Sequence, residues 1–403
     1  MPKNIVVIGA LDTKGAEFAF VKAAVQDRGH KTIVVNTGIM GDPPFEPEVS
    51  ASRVAEAGGA SLENLRKKAN RGEAIATMTK GVVIVIKELH EKGEVGGVLG
   101  MGGSAGTIIG TAAMRALPVG VPKVMVSTLA SADTSPYVGT RDIVMIHSVV
   151  DVAGINRISA QIYANAVGAV VGMAETALPE IAVKPLIAAS MFGNSTELVD
   201  QCREILEDRG FEVLVFHSTG AGGRTMESLI ADGYFTGVLD VTTTEWADEV
   251  VGGVLSAGPE RLNAAGDRNI PQVIVPGCVD MANFWALNTV PKKFSDRRLY
   301  EWNPNVTLMR TTPAENKEIG RILAEKANRS EGPVAIYLPL KGLSLLDSPG
   351  GEFWWPEADH ALFEAIKEHA RKEITVYELD NNINDRVFAE AVTGKLLSFL
   401  GKK

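Results

Sequence analysis

The sequence has few cysteines and no long apolar run, and each shortage excludes a class of protein. Its 403 residues include two cysteines, Cys202 and Cys278. Two thiols cannot build a disulfide framework, so we expect a reduced, cytoplasmic setting. No stretch approaches the roughly 18 apolar residues that a membrane helix needs. The first apolar run, residues 5–10, is too short for a signal peptide. We therefore expect no membrane partner.

Basic residues are also in the minority. The formal net charge is −9 and no long basic run occurs, so a nucleic-acid partner is not expected. This balance does not exclude nucleotides, because a local pocket can hold phosphates with backbone amides. Hydrophobic residues make up 45% and charged residues 22%, which is ordinary for a globular protein of about two domains.

Apolar runs alternate with helical patterns, and many of the 41 glycines lie in the turns between them. The first half predicts strands at 5–10, 32–36, 96–101, 123–127 and 142–146, and helices at 14–27, 73–90 and 104–116. Strands and helices in alternation are typical of a parallel sheet covered on both faces.

The pattern restarts after a proline-containing linker at residues 177–185. A DRG triplet marks the same point in both halves, Asp27 to Gly29 and Asp208 to Gly210. We interpret this as an internal duplication, giving two Rossmann-like α/β domains at 1–180 and 181–403. The alternative is that any two βαβ units look alike at this level. The second half further predicts strands at 272–275, 334–338 and 374–378, long polar loops at 276–304 and 339–358, and a final helix at 386–400.

The sharpest local motif is MGGSAGT at 101–107, between a strand and a helix. Glycine allows close approach to a ligand, and free amides at a helix start favour an anion. The candidate ligand-binding residues are Gly102, Gly103, Ser104, Gly106 and Thr107. The motif is neither a P-loop nor a strict dinucleotide fingerprint. The alternative is an ordinary turn with Ser104 as the helix N-cap.

Three more polar turns follow strands and should lie at the same edge of the first sheet. They contain Asp12, Thr13 and Lys14; Thr37 and Gly38; and Ser127 and Thr128. Asp12 is suited to a ribose hydroxyl or a hydrated magnesium ion, and Lys14 to a phosphate. The alternative is that Asp12 or Thr13 caps the first helix.

The second half has its own candidates for acid–base chemistry, but no evident catalytic set. They are His217, Glu245, Asp280 and Asp380, each in a turn after a predicted strand. Cys278 and His217 would form a nucleophile–base pair only if the fold brought them together, and a buried, packed cysteine is the commoner case. No His/Cys cluster has zinc spacing, so no residue is predicted as a metal ligand.

Several long motifs occur together in one order. They are MGGSAGT, SVVDVAGIN, HSTGAGGRTME, TTTEWADE, PGCVDMANFW and NNINDRVFAEA. In this the sequence resembles the family of the tomato mosaic virus resistance protein and its bacterial relatives, over nearly the whole chain. The resemblance implies two Rossmann-like domains, a homodimer, and ATP with Mg²⁺ bound in the first domain at the glycine-rich turn and at Asp12, Thr13 and Lys14. The plant member continues into a barrel-like region, so a separate barrel-type enzyme chain is a further expected partner.

Two functions remain open on this basis. The first is an ATP-binding enzyme that acts on a small acidic or sugar-like metabolite held by the second domain. The alternative is a non-catalytic nucleotide-binding module that regulates or scaffolds a partner. A solute receptor with two similar lobes is a third hypothesis, which the lack of a signal peptide disfavours.

Overall fold

A computed structural model describes residues 3–177 and 183–401. The chain divides into two compact units, Met1–Glu180 and Ile181–Lys403, called unit 1 and unit 2 below. Most of the predicted linker, residues 178–182, lies outside the described residues.

Unit 1 is a five-stranded parallel sheet with helices on both faces. Its strands are β1 Asn4–Gly9, β2 Lys31–Asn36, β3 Gly97–Gly102, β4 Lys123–Ser127 and β5 Val144–His147. Its helices are α1 Leu11–Gln26, α2 Ala51–Ala57, α3 Leu62–Lys68, α4 Arg71–Glu91, α5 Ser104–Arg115, α6 Ser135–Val138 and α7 Arg157–Glu175. The strand order is β2-β1-β3-β4-β5, and every neighbouring pair is parallel.

The strands form because their side chains are apolar on both faces and each face has a helical cover. Val7 on β1 packs in one core with Phe18 of α1 and Val167 of α7. On the opposite face, Val6 and Ile8 share a core with helices α2, α4 and α5. The two cores hold the carboxyl ends of β1 and β3 side by side.

Unit 2 combines a six-stranded parallel sheet with a small antiparallel one. Its strands are β6 Leu186–Met191, β7 Glu212–His217, β8 Phe235–Asp240, β9 Gln272–Ile274, β10 Met281–Phe284, β11 Leu299–Asn303, β12 Val306–Arg310, β13 Val334–Pro339 and β14 Thr375–Leu379. Its helices are α8 Thr196–Asp208, α9 Ala221–Ala231, α10 Glu245–Val251, α11 Ala264–Asp267, α12 Pro313–Asn328, α13 Pro356–His369 and α14 Arg386–Phe399. Three short 3₁₀ turns occupy Gly193–Ser195, Leu287–Thr289 and Lys292–Phe294. The large sheet has the order β7-β6-β8-β9-β13-β14, and the small one β10-β12-β11.

The two large sheets share one topology. In each unit the second strand lies outside the first, and the third and fourth follow on the other side. The predicted α/β fold class with parallel sheets is therefore confirmed. The common order agrees with a duplication, which stays an interpretation because many α/β folds have this order.

The predicted loop at 276–304 is wrong in part, since β10 and β11 lie within it and pair with β12. The strand β10, Met281–Phe284, is short, and all four of its residues are buried. Such a strand gives no inside–outside alternation to recognise. Within the described residues, no helix combines the length and the apolar character needed to cross a membrane.

Candidate functional site

The topology of unit 1 creates a crevice at the carboxyl ends of β1 and β3. These strands are neighbours, but the chain continues from β1 to one side of the sheet and from β3 to the other. Such a switch point opens a gap between the two connections, and α/β proteins bind ligands there. Helices α1 and α5 both begin at this gap.

The start of α1 is held by a residue from the next strand. Asn36, at the end of β2, accepts hydrogen bonds from Leu11 N at 3.1 Å and Gly38 N at 2.9 Å. Thr37 is buried, and its amide donates to Gly9 O at 2.8 Å. Predicted binding residue Thr37 thus packs against the β1 end, and its neighbour Gly38 lies at the crevice.

Asp12 lies in the first turn of α1 and contacts the loop after β2. Its Oδ2 accepts from Met40 N at 2.6 Å and Gly41 N at 3.2 Å. Its Oδ1 is buried without a hydrogen-bond partner. A Cβ on Gly38 would lie 2.3 Å from this oxygen, so any larger residue there would displace the Asp12 carboxylate. The capping alternative is wrong, since α1 begins at Leu11 and its N-cap is Ala10.

Lys14 is held by a loop that follows β5. Its Nζ donates to Val152 O, and its backbone (φ −134°, ψ 29°) interrupts the helix. Glu17, one turn on, accepts a hydrogen bond from Gly154 N in the same loop. Thr13 is exposed. The Lys14 ammonium, which has three donors, uses one of them on Val152 O.

The glycine-rich turn opens α5 without any side-chain cap. Gly103 is the N-cap, which corrects the alternative that Ser104 has this role. In an α-helix the first amides have no intrahelical acceptor, so those of residues 104–106 are donors toward the crevice. Gly102 and Gly106 let the turn close tightly, because a Cβ on Gly102 would lie 2.9 Å from Gly106 Cα.

The hydroxyl residues near this turn divide into two groups. Thr107 and Ser127 are fully buried, and their hydroxyls bond each other at 2.6 Å, with Thr107 also donating to Gly103 O at 2.8 Å. Their role here is to join α5 to β4. Ser104 is exposed and Thr128 half-buried, and a Cβ on Gly103 would lie 3.7 Å from Thr128 Oγ1. These two hydroxyls border the free helix start.

Sequence reasoning missed one cation at this edge. Arg66 of α3 donates to Ile39 O at 2.9 Å and to Gly41 O at 2.7 Å. It therefore supports the loop that Asp12 holds from the other side. Its sequence context, LRKK on a short polar helix, gives no signal that distinguishes it from a solvated lysine or arginine.

In unit 2 the predicted candidate Glu245 caps a helix. Its Oε1 accepts from Gly220 N at 2.7 Å and Gly223 N at 3.1 Å, at the start of α9. Its Oε2 accepts from the buried Arg261 at 2.6 Å. Both oxygens of this buried carboxylate are engaged within the protein, so the start of α9 already holds an anion.

Arg261 is shared with two further acids. It forms a two-pronged pair with Asp240 at 2.5 and 2.6 Å and reaches Glu227 at 3.1 Å. Burial raises the pKa of Glu227, and the Arg261 charge opposes that rise. One guanidinium is thus the shared counter-charge of three carboxyl groups near the end of β8.

A second buried acid cluster surrounds the candidate Asp280. Arg310 contacts Asp359 at 2.6 Å and Asp347 at 3.4 Å, and Ser344 donates to Asp280 at 2.8 Å. Burial together with the neighbouring Asp347 raises the pKa of Asp280 to about 7 and that of Asp359 to about 8. The Asp280 Oδ1 atom is buried without a hydrogen-bond partner.

The remaining candidates of unit 2 have different surroundings. His217 packs edge-on against Phe192 with ring centroids 5.5 Å apart, and burial lowers its pKa. Cys278 is fully buried, and burial raises the pKa of its thiol well above the usual value, which disfavours a thiolate nucleophile. Asp380 is largely exposed and pairs with Lys341 at 2.8 Å.

Sequence comparisons place both units in one family. The model of the uncharacterised protein family UPF0261 N-terminal domain matches residues 3–179, and that of its C-terminal domain matches residues 184–400. A UPF0261 protein of Clostridium tetani is 51% identical over 404 residues and covers all of both chains. The tomato (Solanum lycopersicum) ToMV susceptible protein tm-1(GCR26) is 41% identical over 342 residues, which are 82% of this chain and 45% of the tomato protein.

Solved structures match only weakly. UDP-N-acetylglucosamine 2-epimerase from Rickettsia bellii is 11% identical and has a TM-score of 0.24, with 99% of this chain and 96% of the epimerase covered. The sequence relatives carry the assignment, and they confirm the resemblance drawn from the motifs. The chain belongs to the uncharacterised protein family UPF0261, whose homologues include the tomato Tm-1 proteins.

Proposed function

We propose that this protein binds a phosphorylated nucleotide, ATP with Mg²⁺, in the crevice of unit 1 between the starts of α1 and α5. The observation that carries the proposal is the uncapped start of α5 at the switch point. Amides 104–106 are oriented as an anion site, since the helix dipole adds a partial positive charge there. Ser104 and Thr128 add hydroxyl donors at its border.

Asp12 fits the second part of such a ligand. Its Oδ1 is a buried acceptor with no donor, and a water of hydrated Mg²⁺ or a ribose hydroxyl would supply one. Bound Mg²⁺ would neutralise phosphate charge. This chain's own residues would orient the ligand: Gly38 leaves room beside Asp12, and Arg66 fixes the loop that Asp12 contacts.

The proposal has two forms. The protein is either an enzyme that uses the nucleotide or a regulatory module that binds it. In either form Lys14 would add a hydrogen bond from its ammonium to a phosphate oxygen beside its bond to Val152 O. Hydrolysis or transfer measured with Mg-ATP and candidate metabolites distinguishes the two forms. Turnover would support the enzyme, and binding without turnover the module.

The test is calorimetric unfolding with and without Mg-ATP. Ligand at 100 times its Kd stabilises the folded state by about 2.7 kcal/mol, which for a unit of this size raises the midpoint by roughly 5–10 °C. Calorimetry is needed because all five tryptophans, at 246, 285, 302, 354 and 355, lie in unit 2. Tryptophan fluorescence therefore does not report on the unit that carries the site.

Gly103→Val is the site variant, because its added branches would cover the free amides while its φ of −81° suits valine. Gly172→Val is the matched control, since a Cβ at this exposed position of α7 meets nothing within 4 Å. We expect stabilisation by Mg-ATP in the parent and in Gly172→Val, and none in folded Gly103→Val. Equal stabilisation of all three would place the nucleotide elsewhere, and none in the parent would refute nucleotide binding.

A further inference from the structure

A cavity of about 480 Å³ lies at the carboxyl edge of the large sheet in unit 2. Its lining comes from the first turns of α8, from the loop after β13 and from the segment before α14. The lining includes Asn194, Glu197, Asp200, Gln201, Leu345 and Asn384. This volume is within the range of small-molecule sites.

The cavity repeats a feature of the unit 1 crevice. Met191 pairs with His217 as Gly9 pairs with Asn36, so Asn194 and Asp12 each stand three residues beyond matching strand ends. Asn194 is 2% exposed, and its Oδ1 is buried without a partner, like Asp12 Oδ1. Both units thus place an oxygen without a hydrogen-bond partner at the same point of the fold. Buried acceptors normally have a donor, and a bound ligand would supply it.

The amide donors of the lining are already used within the protein. Asn384 donates from Nδ2 to Asn194 O at 3.1 Å and accepts from Leu198 N at 3.3 Å. Gln201 donates from Nε2 to Asn384 O at 3.2 Å, which leaves its Oε1 as a buried acceptor without a partner. The buried side-chain atoms of the lining that lack a partner, Asn194 Oδ1 and Gln201 Oε1, are therefore both acceptors.

The charges of the lining point the same way. Glu197 and Asp200 are exposed carboxylates on the first turns of α8, and no lysine or arginine is among the described residues that line the cavity. The positive end of the α8 dipole is offset by these two acids. An anionic ligand would meet two negative charges without a counter-charge, so phosphates and carboxylates are disfavoured.

An aromatic surface lies beside the acceptors. Trp302 of β11 is 42% exposed, and a Cβ on Gly193 would lie 3.9 Å from its ring. The partly exposed Leu345 contributes a second apolar surface. Hydroxyl-rich rings have apolar C–H faces and hydroxyl donors at the rim, which matches an indole next to carboxylate and amide oxygens.

We propose that unit 2 binds a neutral polyhydroxylated molecule, a sugar or cyclic polyol, in the cavity beside the start of α8. Its hydroxyls donate to Asp200, Glu197 and Gln201 Oε1, and its C–H face packs toward Trp302. The site goes beyond nucleotide binding in unit 1. Of the two substrate classes expected from the sequence, acidic and sugar-like, this site favours the sugar-like one.

The test is saturation-transfer NMR on the full chain with defined probes. D-glucose, D-galactose, D-mannose and myo-inositol are the neutral probes, D-glucose 6-phosphate is the anionic one and 1,4-diaminobutane the cationic one. We expect transfer to at least one neutral probe at millimolar concentration and none to the phosphate. Asp200→Asn should weaken that binding by about tenfold, since the hydrogen bond from the sugar hydroxyl then goes to a neutral acceptor instead of a charged one.

Asp208→Asn is the matched control, because it removes one charge from the exposed last turn of the same helix. It should bind as the parent does. Transfer only to the diamine or the phosphate, no transfer to any neutral probe, or equal binding by Asp200→Asn would each overturn the proposal. Repeating the measurement in Gly103→Val separates the two sites, since loss of nucleotide binding there should leave the sugar signal unchanged.

Discussion

Removing Arg261 should destabilise unit 2 more than any surface charge deletion. Arg261 is 1% exposed and contacts Asp240, Glu245 and Glu227. In Arg261→Ala these acids lose their shared counter-charge, while Asp240 and Glu245 stay almost fully buried. Breaking a buried pair by removing one partner costs about 3–5 kcal/mol. Because three acids are affected, we expect a loss near the upper end of this range. Such a loss is a large part of the unfolding free energy of an ordinary domain.

Urea unfolding followed by tryptophan fluorescence is the assay, because every tryptophan lies in unit 2. The matched control is Arg321→Ala, which also removes an arginine with two acidic partners, Glu318 and Glu325. These pairs lie on the surface of α12 and should contribute at most about 1 kcal/mol. The deficit of Arg261→Ala should also shrink at low pH, since without the guanidinium the pKa of buried Glu227 rises further and protonation relieves its charge.

The reasoning is refuted if Arg261→Ala loses no more stability than Arg321→Ala. That result would mean that water or a rearranged side chain replaces the guanidinium at little cost. A deficit that grows as the pH falls would contradict the electrostatic explanation even if the total were large.

Two further predictions concern pH and the unit 1 crevice. Burial raises the pKa of Asp248 to about 7. The folded state therefore holds a proton that the unfolded chain releases above about pH 4, and unfolding free energy falls by about 1.4 kcal/mol per pH unit from there to about 7. Asp248→Asn should reduce the pH slope of the unfolding free energy, measured in urea by tryptophan fluorescence, by this amount, while the buried Asp280 and Asp359 keep their own contributions. An unchanged slope would contradict the assignment. Gly38→Ala should cost on the order of 1–3 kcal/mol by calorimetry and weaken Mg-ATP binding, because its Cβ displaces Asp12 from two amides. Gly172→Ala is its control and should not destabilise the protein, because alanine is the better helix former and its Cβ meets nothing within 4 Å.

The fold was predictable because its strands are continuous apolar runs flanked by glycine turns. β1, β3 and β4 lie within a residue or two of the predicted ranges. Their neighbours in space follow from the rules of parallel α/β sheets. The small sheet of unit 2 escaped prediction because β11 is mostly exposed and β10 wholly buried, so neither alternates.

The sequence predicts which turns form the candidate site, but not which contacts their side chains make. The glycine turn before α5 is where the sequence predicts it, but two of its expected ligands, Thr107 and Ser127, bond each other. Arg66 had no recognisable motif. The pairing of Glu245 with the start of α9 joins residues about 25 positions apart. Such contacts depend on tertiary packing, which local sequence does not specify.

The two units use the same topology in different ways. In unit 1 the turn after the third strand has a partly exposed Gly103 and an exposed Ser104. In unit 2 the matching turn, Thr242 to Glu245, is buried. Thr244 donates to Met281 O at 3.2 Å, on the first strand of the small sheet. The inserted strands therefore close the anion-binding side of this edge, and Glu245 supplies an internal carboxylate beside it. What stays open is the acceptor-lined cavity at α8, so by our two proposals the shared topology would hold a phosphate in unit 1 and a neutral ligand in unit 2.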